Sequence, residues 1–354
     1  MRDIVIKSKL YDYNVSFVDD FRGSVEKLGT NVTYVIDKKV FELYMNGFSG
    51  IDVSKTYLVE AIESKKNMET VLDIINFWQR IGVKKNWKVI CIGGGITQDI
   101  TTIASNLFLR NIQWYFFPTT LLAMSDSCIG GKSGINLGNY KNQLGVFYPP
   151  KNIFIDIRFI ETLSEQDYLN GWGEILKFSL TSDVDFYKSI RNLDSYIPCT
   201  NIDKYLYMGL NVKKKIIEVD EFDSGVRKTL NYGHTFGHAL EAYTNNLIPH
   251  GEAVIWGIDV ANYIAVKEKL LSEELYLDIK CFIKKSFILQ EIEIEDPDKL
   301  FRILSTDKKV SDNKISLVML NGLCNLKIYP MALDGNLKRL FVNYIKETHD
   351  YYSK

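Results

Sequence analysis

The chain has 354 residues, of which 46% are hydrophobic and 25% charged, and its formal net charge is −1. This length suggests two domains of an ordinary globular protein, and the near-neutral charge excludes a global attraction to nucleic acid or to an anionic membrane. No apolar run approaches about 18 residues, the N-terminus lacks a signal-peptide pattern, and the five cysteines are scattered without CxxC spacing, so we expect a cytoplasmic protein without a membrane span or a disulfide framework.

Strands and helices alternate in the first half of the chain. Val32–Asp37 is rich in β-formers, residues 68–81 carry apolar side chains at helical spacing, and residues 87–92 form an apolar run that ends in glycines. Residues 99–109 then predict a helix, and 113–117 another strand. This rhythm predicts a mostly parallel sheet covered by helices, an α/β architecture of the Rossmann type.

The pattern changes near residues 160–165 to long amphipathic helices. The exception is an apolar pair, 315–320 and 326–329, which is separated by Asn321 and Gly322 and predicts a hairpin. We therefore expect an α/β domain over residues 1–162 and a mainly α-helical domain over 163–354. The cleft between two such domains is the default ligand site.

A glycine-rich turn follows the strand predicted at 87–92. Gly93, Gly94 and Gly95 precede the helix that contains Asp99. Backbone N–H groups at such a turn can approach a pyrophosphate, and the helix N-terminus favours the anion. The pattern departs from GxGxxG, so a simple tight turn is the alternative.

A second anion-friendly loop begins at Asp126. It continues through Gly130 and Gly131 to Lys132, which can meet a phosphate as a point charge, and Lys141 and Asn142 follow nearby. The alternative is a flexible surface loop, but apolar residues interleave with the polar ones and favour a site lining. Two phosphate-friendly loops indicate one dinucleotide, or a dinucleotide and a phosphorylated substrate.

Glu174 and Lys177 lie three positions apart in a segment that predicts a helix. An exposed ion pair is the commoner explanation of this spacing. Trp172 and Phe178 flank the pair, however, and favour partial burial. Glu174 is therefore a candidate carboxylate ligand for a metal.

Three of the chain's four histidines lie in one short segment. His234 and His238 are four positions apart in a predicted helix, so their imidazoles share one face, and His250 precedes another predicted helix. Imidazoles clustered in this way suit Zn²⁺. The alternative is that each histidine caps a helix or lies in the core, which is the usual explanation of a lone histidine.

These segments together resemble a known family. They are Gly-Gly-Gly…Asp from residue 93, Pro-Thr-Thr-Leu-Leu-Ala from 118, Asp-Ser…Gly-Gly-Lys from 126, Glu-Ile-Leu-Lys from 174, Arg-x-x-Leu-Asn-Tyr-Gly-His-Thr-Phe-Gly-His-Ala-Leu-Glu from 227 and His-Gly-Glu-Ala-Val from 250. In order and spacing, from about residue 63 to 255, the chain resembles the 3-dehydroquinate synthases and their relatives, the sugar phosphate cyclases. The resemblance implies a homodimer with an NAD-binding α/β domain and a helical domain for metal and substrate.

The resemblance also implies a reaction, the phosphate-eliminating cyclisation of the seven-carbon sugar acid 3-deoxy-arabino-heptulosonate 7-phosphate in the shikimate pathway of aromatic amino acid biosynthesis. NAD⁺ would oxidise a secondary alcohol, phosphate would leave by elimination, and NADH would return the hydride. Ring opening and an intramolecular aldol step would then give 3-dehydroquinate. A divalent metal, zinc or cobalt, would polarise the alcohol and the carbonyl, and the protein would fix the orientation of the substrate.

Roles for individual residues follow from the same resemblance. The metal ligands would be Glu174, His234 and His250. The catalytic residues would be His238, Lys177 and Asp126. The substrate-binding residues would be Lys132, Asn142, Lys213, Arg227, Asn231, Lys309 and, across a dimer interface, Arg110. The NAD-binding residues would be Asp37, Glu63, Lys66, Gly94, Gly95, Asp99, Thr119, Thr120, Lys141 and Thr162.

Some positions depart from the family pattern. Gln98 replaces a glycine of the Gly-rich turn, which would place a large side chain near the pyrophosphate. Gly173 replaces the usual alanine before the ligand glutamate, and Cys324 stands where an Ile-Gly pair is usual. The segment before residue 55 shows little likeness.

Several functions are compatible with these motifs. Lys213 and Arg227 match the positions that meet a substrate carboxylate, and desolvated cations without a partner are costly, so they favour the sugar acid phosphate over a neutral sugar phosphate. The alternatives are a related cyclase acting on sedoheptulose 7-phosphate or glucose 6-phosphate, a metal-dependent polyol dehydrogenase, and a catalytically silent relative that serves as a binding protein.

Overall fold

The computed structural model describes residues 3–44, 51–138, 140–193, 201–245, 247–286, 294–305, 310–311 and 313–352. The chain divides into two compact units. The first contains Met1–Tyr168 and Lys213–Phe222, and the second contains Leu169–Val212 and Asp223–Lys354. No helix among the described residues combines the length and the apolarity that a membrane crossing needs.

A seven-stranded sheet forms the centre of the first unit. The strands of this unit are β1 (Asp3–Ile6), β2 (Tyr13–Phe17), β3 (Val32–Asp37), β4 (Thr56–Val59), β5 (Lys88–Gly93), β6 (Trp114–Pro118), β7 (Lys132–Leu137), β8 (Tyr140–Phe147) and β9 (Asn152–Ile155). The sheet order is β1-β2-β9-β6-β5-β3-β4, and neighbouring strands are parallel except for β1 and β2. Strands β7 and β8 pair with each other as a separate hairpin. The predicted α/β fold is confirmed.

The central strands are buried on both faces. Val35 and Ile36 of β3 and Val89, Ile90 and Ile92 of β5 have no exposed surface. Strands buried on both faces carry continuous apolar runs, whereas strands with one wet face alternate. This burial explains why the sequence of β5 contains no polar position between Val89 and its terminal glycine.

The helices of the first unit connect these strands. They are α1 (Phe21–Glu26), α2 (Lys38–Leu43), α3 (Met68–Arg80) and α4 (Gly95–Leu107). The predicted helix at 68–81 corresponds to α3, whose N-terminus is capped by the Asn67 side chain. The start predicted for the next helix, Asp99, was wrong: α4 begins at Gly95, directly after the N-cap residue Gly94. Glycine is a poor helix former, so its propensity concealed the first turn.

The second unit is mainly helical. Its helices, two of which share residues with the first unit, are α5 (Glu165–Ser179), α6 (Val184–Arg191), α7 (Ile202–Val219), α8 (His234–Tyr243), α9 (His250–Lys267), α10 (Glu273–Ser286), α11 (Pro297–Ser305) and α12 (Gly335–Tyr352). A small antiparallel sheet consists of β10 (Val310–Ser311), β11 (Lys314–Leu320) and β12 (Leu326–Ala332). The predicted hairpin is confirmed, because Leu320 pairs with Leu326 across the turn.

Candidate functional site

Two imidazoles of the second unit converge on one buried carboxylate. Glu174, on α5, is fully buried, and its Oε1 lies 3.3 Å from His250 Nε2 and 3.6 Å from His234 Nε2. His234 is the first residue of α8, and His250 is the first residue of α9. One possible ligand atom from each of the three residues lies within 4.8 Å of the other two. The fold thus brings together the residues that the sequence predicts as metal ligands.

The carboxylate of Glu174 is suited to a cation. Both of its oxygens are buried, and a buried carboxylate is costly unless positive charge compensates it. Lys177 supplies one ammonium in an ion pair with Oε2. Burial raises the pKa of Glu174, but the charges of Lys177 and His250 outweigh burial and lower the pKa to about 2. Two imidazoles and an ionised carboxylate form a donor set that Zn²⁺ prefers, so these residues fit a divalent metal.

The other ring nitrogens of the two histidines have their own partners. His234 Nδ1 lies 3.1 Å from the Tyr232 carbonyl oxygen, and since a carbonyl only accepts, Nδ1 carries the hydrogen and Nε2 is left as the donor atom for a metal. His250 Nδ1 lies 3.3 Å from Glu241 Oε1. Burial lowers the pKa of His250, but its hydrogen bonds with Glu174 and Glu241 raise the pKa to about 10.

Glu241 is a site residue that the sequence analysis missed. It follows His238 by three positions on α8, a spacing that places both side chains on one helix face and was available as a signal. Ligand histidines commonly donate their second N–H to a carboxylate, which fixes the tautomer and the ring orientation. Glu241 stands in this relation to His250.

His238 lies at the margin of the cluster. Its side chain is exposed, and its ring centroid is 5.4 Å from that of His234 and 6.1 Å from that of His250. With Glu241 and His250 it forms a second, overlapping group of possible metal ligands. The group around Glu174 is the more buried of the two, and the role of His238 beside the substrate stays a prediction.

Close contacts between backbone segments position the three candidate metal ligands. A Cβ at Gly173 would lie 2.6 Å from the carbonyl oxygen of Gly251, the residue after His250. A Cβ at Gly257, on α9, would overlap the carbonyl oxygen of Gly233, the residue before His234. These backbone segments can approach each other so closely only because glycine has no side chain. Glycine at position 173, where the family usually has alanine, therefore has a structural reason: in this chain α5 contacts α9 too closely for an alanine side chain.

Predicted cofactor-binding residues gather at one edge of the sheet in the first unit. Asp37 ends β3, Gly94 follows β5 and Thr119 follows β6. Because these strands are parallel neighbours, the three positions share the carboxyl edge of the sheet. A Cβ on Gly94 would lie 3.0 Å from Thr120 Cγ2. The edge combines open backbone with the N-terminus of α4, an arrangement suited to a pyrophosphate.

Other predicted cofactor residues are held by partners within the first unit. Lys66 Nζ lies 2.7 Å from Asp99 Oδ2 in a largely buried ion pair. Burial raises the pKa of Asp99 although Lys66 opposes the shift. Glu63 Oε1 accepts a hydrogen bond of 2.8 Å from Asn136. Three further predicted residues occupy distinct places: Gly95 begins α4, Lys141 is exposed on β8, and Thr162 Oγ1 lies 2.9 Å from Tyr44 Oη.

Lys213 and Asp126 form a direct pair in the first unit. Lys213 Nζ donates to Asp126 Oδ1 at 2.9 Å and to the main-chain oxygen of the same residue at 2.6 Å. Asp126 lies in a π-helical turn, Ala123–Ser127. Asp126 thus gives Lys213 a carboxylate partner within the protein, so the cost of an unpaired cation does not by itself argue for a substrate carboxylate at Lys213, whose role in substrate binding stays a prediction.

The side chain of Gln98, beside the glycine-rich turn, is hydrogen-bonded within the protein. Its side-chain amide donates to the Ser127 carbonyl oxygen at 2.8 Å, and Ser127 Oγ donates to Gln98 Oε1 at 2.6 Å. The side chain is buried and joins α4 to the π-helical turn that carries Asp126. The structure thus directs this side chain to Ser127.

The remaining predicted substrate residues are dispersed over the two units. Lys132 is exposed at the start of β7, Asn142 lies in β8 with φ of 53°, and Arg110 is exposed after α4. Arg227 and Asn231 lie in the short 3₁₀ helix Val226–Asn231 of the second unit, where Arg227 is buried. Lys309 lies outside the described residues.

Solved structures of sugar phosphate cyclases share this fold. A 2-deoxy-scyllo-inosose synthase, solved with carbaglucose-6-phosphate, NAD⁺ and Co²⁺, is 22% identical and covers 98% of this chain and 100% of its own, with a TM-score of 0.84. The 2-epi-5-epi-valiolone synthase of Streptomyces hygroscopicus subsp. jinggangensis 5008, solved with NAD⁺ and Zn²⁺, is 24% identical and covers 96% of this chain and 98% of its own, with a TM-score of 0.83. These likenesses establish the fold class.

Sequence comparisons define the family more closely. The family model for the 3-dehydroquinate synthase N-terminal region matches residues 56–170, and the model for the C-terminal region matches residues 171–310. A 3-dehydroquinate synthase of Picrophilus torridus is 35% identical over 88% of this chain and 90% of its own length. The chain belongs to the 3-dehydroquinate synthase family. This membership confirms the predicted family and the predicted enzyme class, a phosphate-eliminating lyase that forms a carbocycle.

Proposed function

We propose that this protein is a 3-dehydroquinate synthase that uses NAD and a divalent metal to convert 3-deoxy-arabino-heptulosonate 7-phosphate into 3-dehydroquinate and phosphate. The observation that carries the proposal is the convergence of Glu174, His234 and His250 in a chain matched by both family models. The same donor set in an unrelated fold would support only a metal site.

Glu174, His234 and His250 hold the metal in this proposal. When bound, the metal supplies Lewis acidity that lowers the pKa of a substrate hydroxyl. Lys177 balances the charge of Glu174 by its ion pair. His238 is exposed beside the cluster, within reach of a ligand, and serves as the group that moves a proton to or from the substrate.

NAD binds at the carboxyl edge of the sheet in the first unit and, when bound, supplies the hydride chemistry. The cofactor residues are Asp37, Glu63, Lys66, Gly94, Gly95, Asp99, Thr119, Thr120, Lys141 and Thr162. Gly94 and the first turn of α4 face the pyrophosphate with backbone N–H groups. The ion pair of Lys66 with Asp99 fixes the start of α4 against the segment before α3.

The remaining predicted residues orient the substrate. Asp126, held in one orientation by Lys213, contacts the reacting hydroxyls. The residues that bind the phosphate, the carboxylate and the hydroxyls are Lys132, Asn142, Lys213, Arg227, Asn231, Lys309 and, from the second copy in a homodimer, Arg110. Fixing the substrate in one orientation supplies much of the advantage of an enzyme in a reaction of several steps.

The substrate is tested by turnover. Purified protein is incubated with NAD⁺, Zn²⁺ or Co²⁺ and 3-deoxy-arabino-heptulosonate 7-phosphate, and inorganic phosphate and 3-dehydroquinate are measured. We expect both products in equal amounts without net accumulation of NADH. Stoichiometric NADH with a simple polyol would instead identify a dehydrogenase.

A second candidate is a cyclase for a neutral sugar phosphate. The pairing of Lys213 with Asp126 favours it, because this lysine then needs no substrate carboxylate. Arg227 becomes the remaining cation assigned to that carboxylate. Turnover of sedoheptulose 7-phosphate or glucose 6-phosphate, with no phosphate release from the sugar acid phosphate, would establish this second function and contradict the first.

A further inference from the structure

Three consecutive residues after α4 adopt a left-handed backbone. Leu109, Arg110 and Asn111 have φ values of 48°, 55° and 73°. None of them is glycine, and each L-residue in this region carries a steric penalty that single residues, not runs, usually bear. Such strained segments persist only where surrounding contacts over-determine them, and they concentrate at functional positions.

Lys85 supplies the main contact that holds this turn. Its ammonium donates to the carbonyl oxygens of Leu109 at 2.7 Å and Asn111 at 3.0 Å, and also to that of Arg110. A lysine ammonium has three donors, and here all three meet one short run of backbone. Consecutive left-handed residues turn their carbonyl groups to one side, so a single cation can meet them together.

Further hydrogen bonds fix both ends of the turn. Asn106 donates its side-chain amide to Asn111 Oδ1 at 2.9 Å, and Asn111 N donates to the Asn106 carbonyl oxygen at 3.0 Å. Ile112 N donates to the Ser105 carbonyl oxygen at 2.9 Å. The backbone at Arg110 is thus fixed on both sides, whereas its side chain is exposed.

We propose that Lys85 is a positioning residue that fixes the backbone of Arg110, so that this arginine meets the substrate phosphate bound by a second copy of the chain. The inference rests on the proposed function, which gives Arg110 that role. In this inference Lys85 acts only through the three carbonyl groups that it contacts. A pre-set turn spares the arginine the ordering cost that a flexible loop would incur on binding phosphate.

The test compares Lys85→Met with Lys84→Met in the full-length protein. Lys84 is the adjacent exposed lysine and is the matched control. For Lys85→Met we expect the KM for the sugar phosphate and the inhibition constant of inorganic phosphate to rise about 10-fold, the size of one charge-assisted contact, with a smaller change in kcat. Lys84→Met should match the wild type. Lys85→Arg, which keeps donors for the carbonyl groups, should recover most of the loss.

A double-mutant cycle with Arg110→Ala separates positioning from a structural effect. If Lys85 acts through Arg110, adding Lys85→Met to Arg110→Ala changes the KM no further. Hydrogen exchange at residues 109–112, measured without substrate, should be faster in Lys85→Met than in Lys84→Met. An additive cycle, or unchanged exchange and KM in Lys85→Met, would overturn the inference. An unchanged KM in Arg110→Ala would instead overturn the proposed role of Arg110, and exchange would still report whether Lys85 holds the turn.

Discussion

Two histidines one helical turn apart lie in different environments. His234 Nε2 faces the buried carboxylate of Glu174, while the side chain of His238 is exposed. The difference arises because α8 begins at His234, whose Nδ1 is held by the carbonyl group just before the helix. The environment of each ring therefore suggests a separate task, ligand for the first and proton transfer for the second.

The histidine roles lead to a direct prediction. His234→Ala should lose bound metal and activity together, because it removes one of three clustered donors. His238→Ala should keep its metal while activity falls by roughly 10²- to 10⁴-fold, the usual effect of removing a general acid or base. Metal per chain, measured after dialysis against a weak chelator, checks both. Metal lost from His238→Ala alone would assign the ion to the group that contains Glu241.

Glu241 should tune the metal site through His250. We expect Glu241→Ala to weaken metal affinity by about 10- to 100-fold, the usual range for a carboxylate behind a ligand histidine. Glu241→Gln keeps an acceptor oxygen for Nδ1 and should lose less. Competition with a chelator of known affinity measures the difference. Equal affinity in Glu241→Ala and the wild type would show that the 3.3 Å contact does not orient the ring.

At the scale of elements, the arrangement of the three candidate metal ligands depends on how closely three helices approach one another. Helices α5, α8 and α9 each bring one ligand, and glycines permit the contacts between them. The packing of these backbones sets the distances between the ligand atoms. A change in packing should therefore appear in metal affinity as well as in stability.

Gly173→Ala tests that dependence. The added Cβ would lie 2.6 Å from a backbone oxygen at the start of α9, so we expect a loss of about 1–3 kcal/mol in the free energy of unfolding and weaker metal binding. Gly209→Ala, in α7, is the matched control: its Cβ meets only ordinary contacts, the nearest at 3.6 Å, and the change should stabilise by roughly 0.5–1 kcal/mol. Urea unfolding and metal titration check both variants. Wild-type values in Gly173→Ala would show that α5 can shift without disturbing the site.

For the whole molecule, the features predicted from residue patterns alone are those that a segment encodes by itself, whereas the full metal-ligand set of Glu174, His234 and His250 was predicted through the family resemblance. The runs at β3 and β5 and the hairpin of β11 and β12 follow from apolar periodicity and turn residues. The pairing of Lys213 with Asp126 joins residues 87 positions apart, and no local pattern specifies it. The contacts of Lys85 could not be predicted either, because its three acceptors are backbone oxygens, which every residue type has.

The division into two units implies that cofactor binding and metal binding can be lost separately. The residues proposed for NAD lie in the first unit and the metal ligands lie in the second. His234→Ala should therefore bind NAD⁺ with wild-type affinity while losing metal. Asp99→Asn should show the converse, with NAD⁺ affinity reduced about 10-fold, because a charged partner at the start of α4 is lost, and with metal content intact.

Calorimetric titration with NAD⁺ and metal analysis of the same samples measure both losses, and thermal melts confirm that each variant is folded. If His234→Ala lost NAD⁺ affinity as well, cofactor binding would depend on the metal ligands despite their location in the other unit. Loss of metal from Asp99→Asn would show that metal binding depends on a residue of the first unit. If each variant lost only its own ligand, the fold of each unit would be sufficient to form its own binding site. This is expected for units that each bury their own apolar residues.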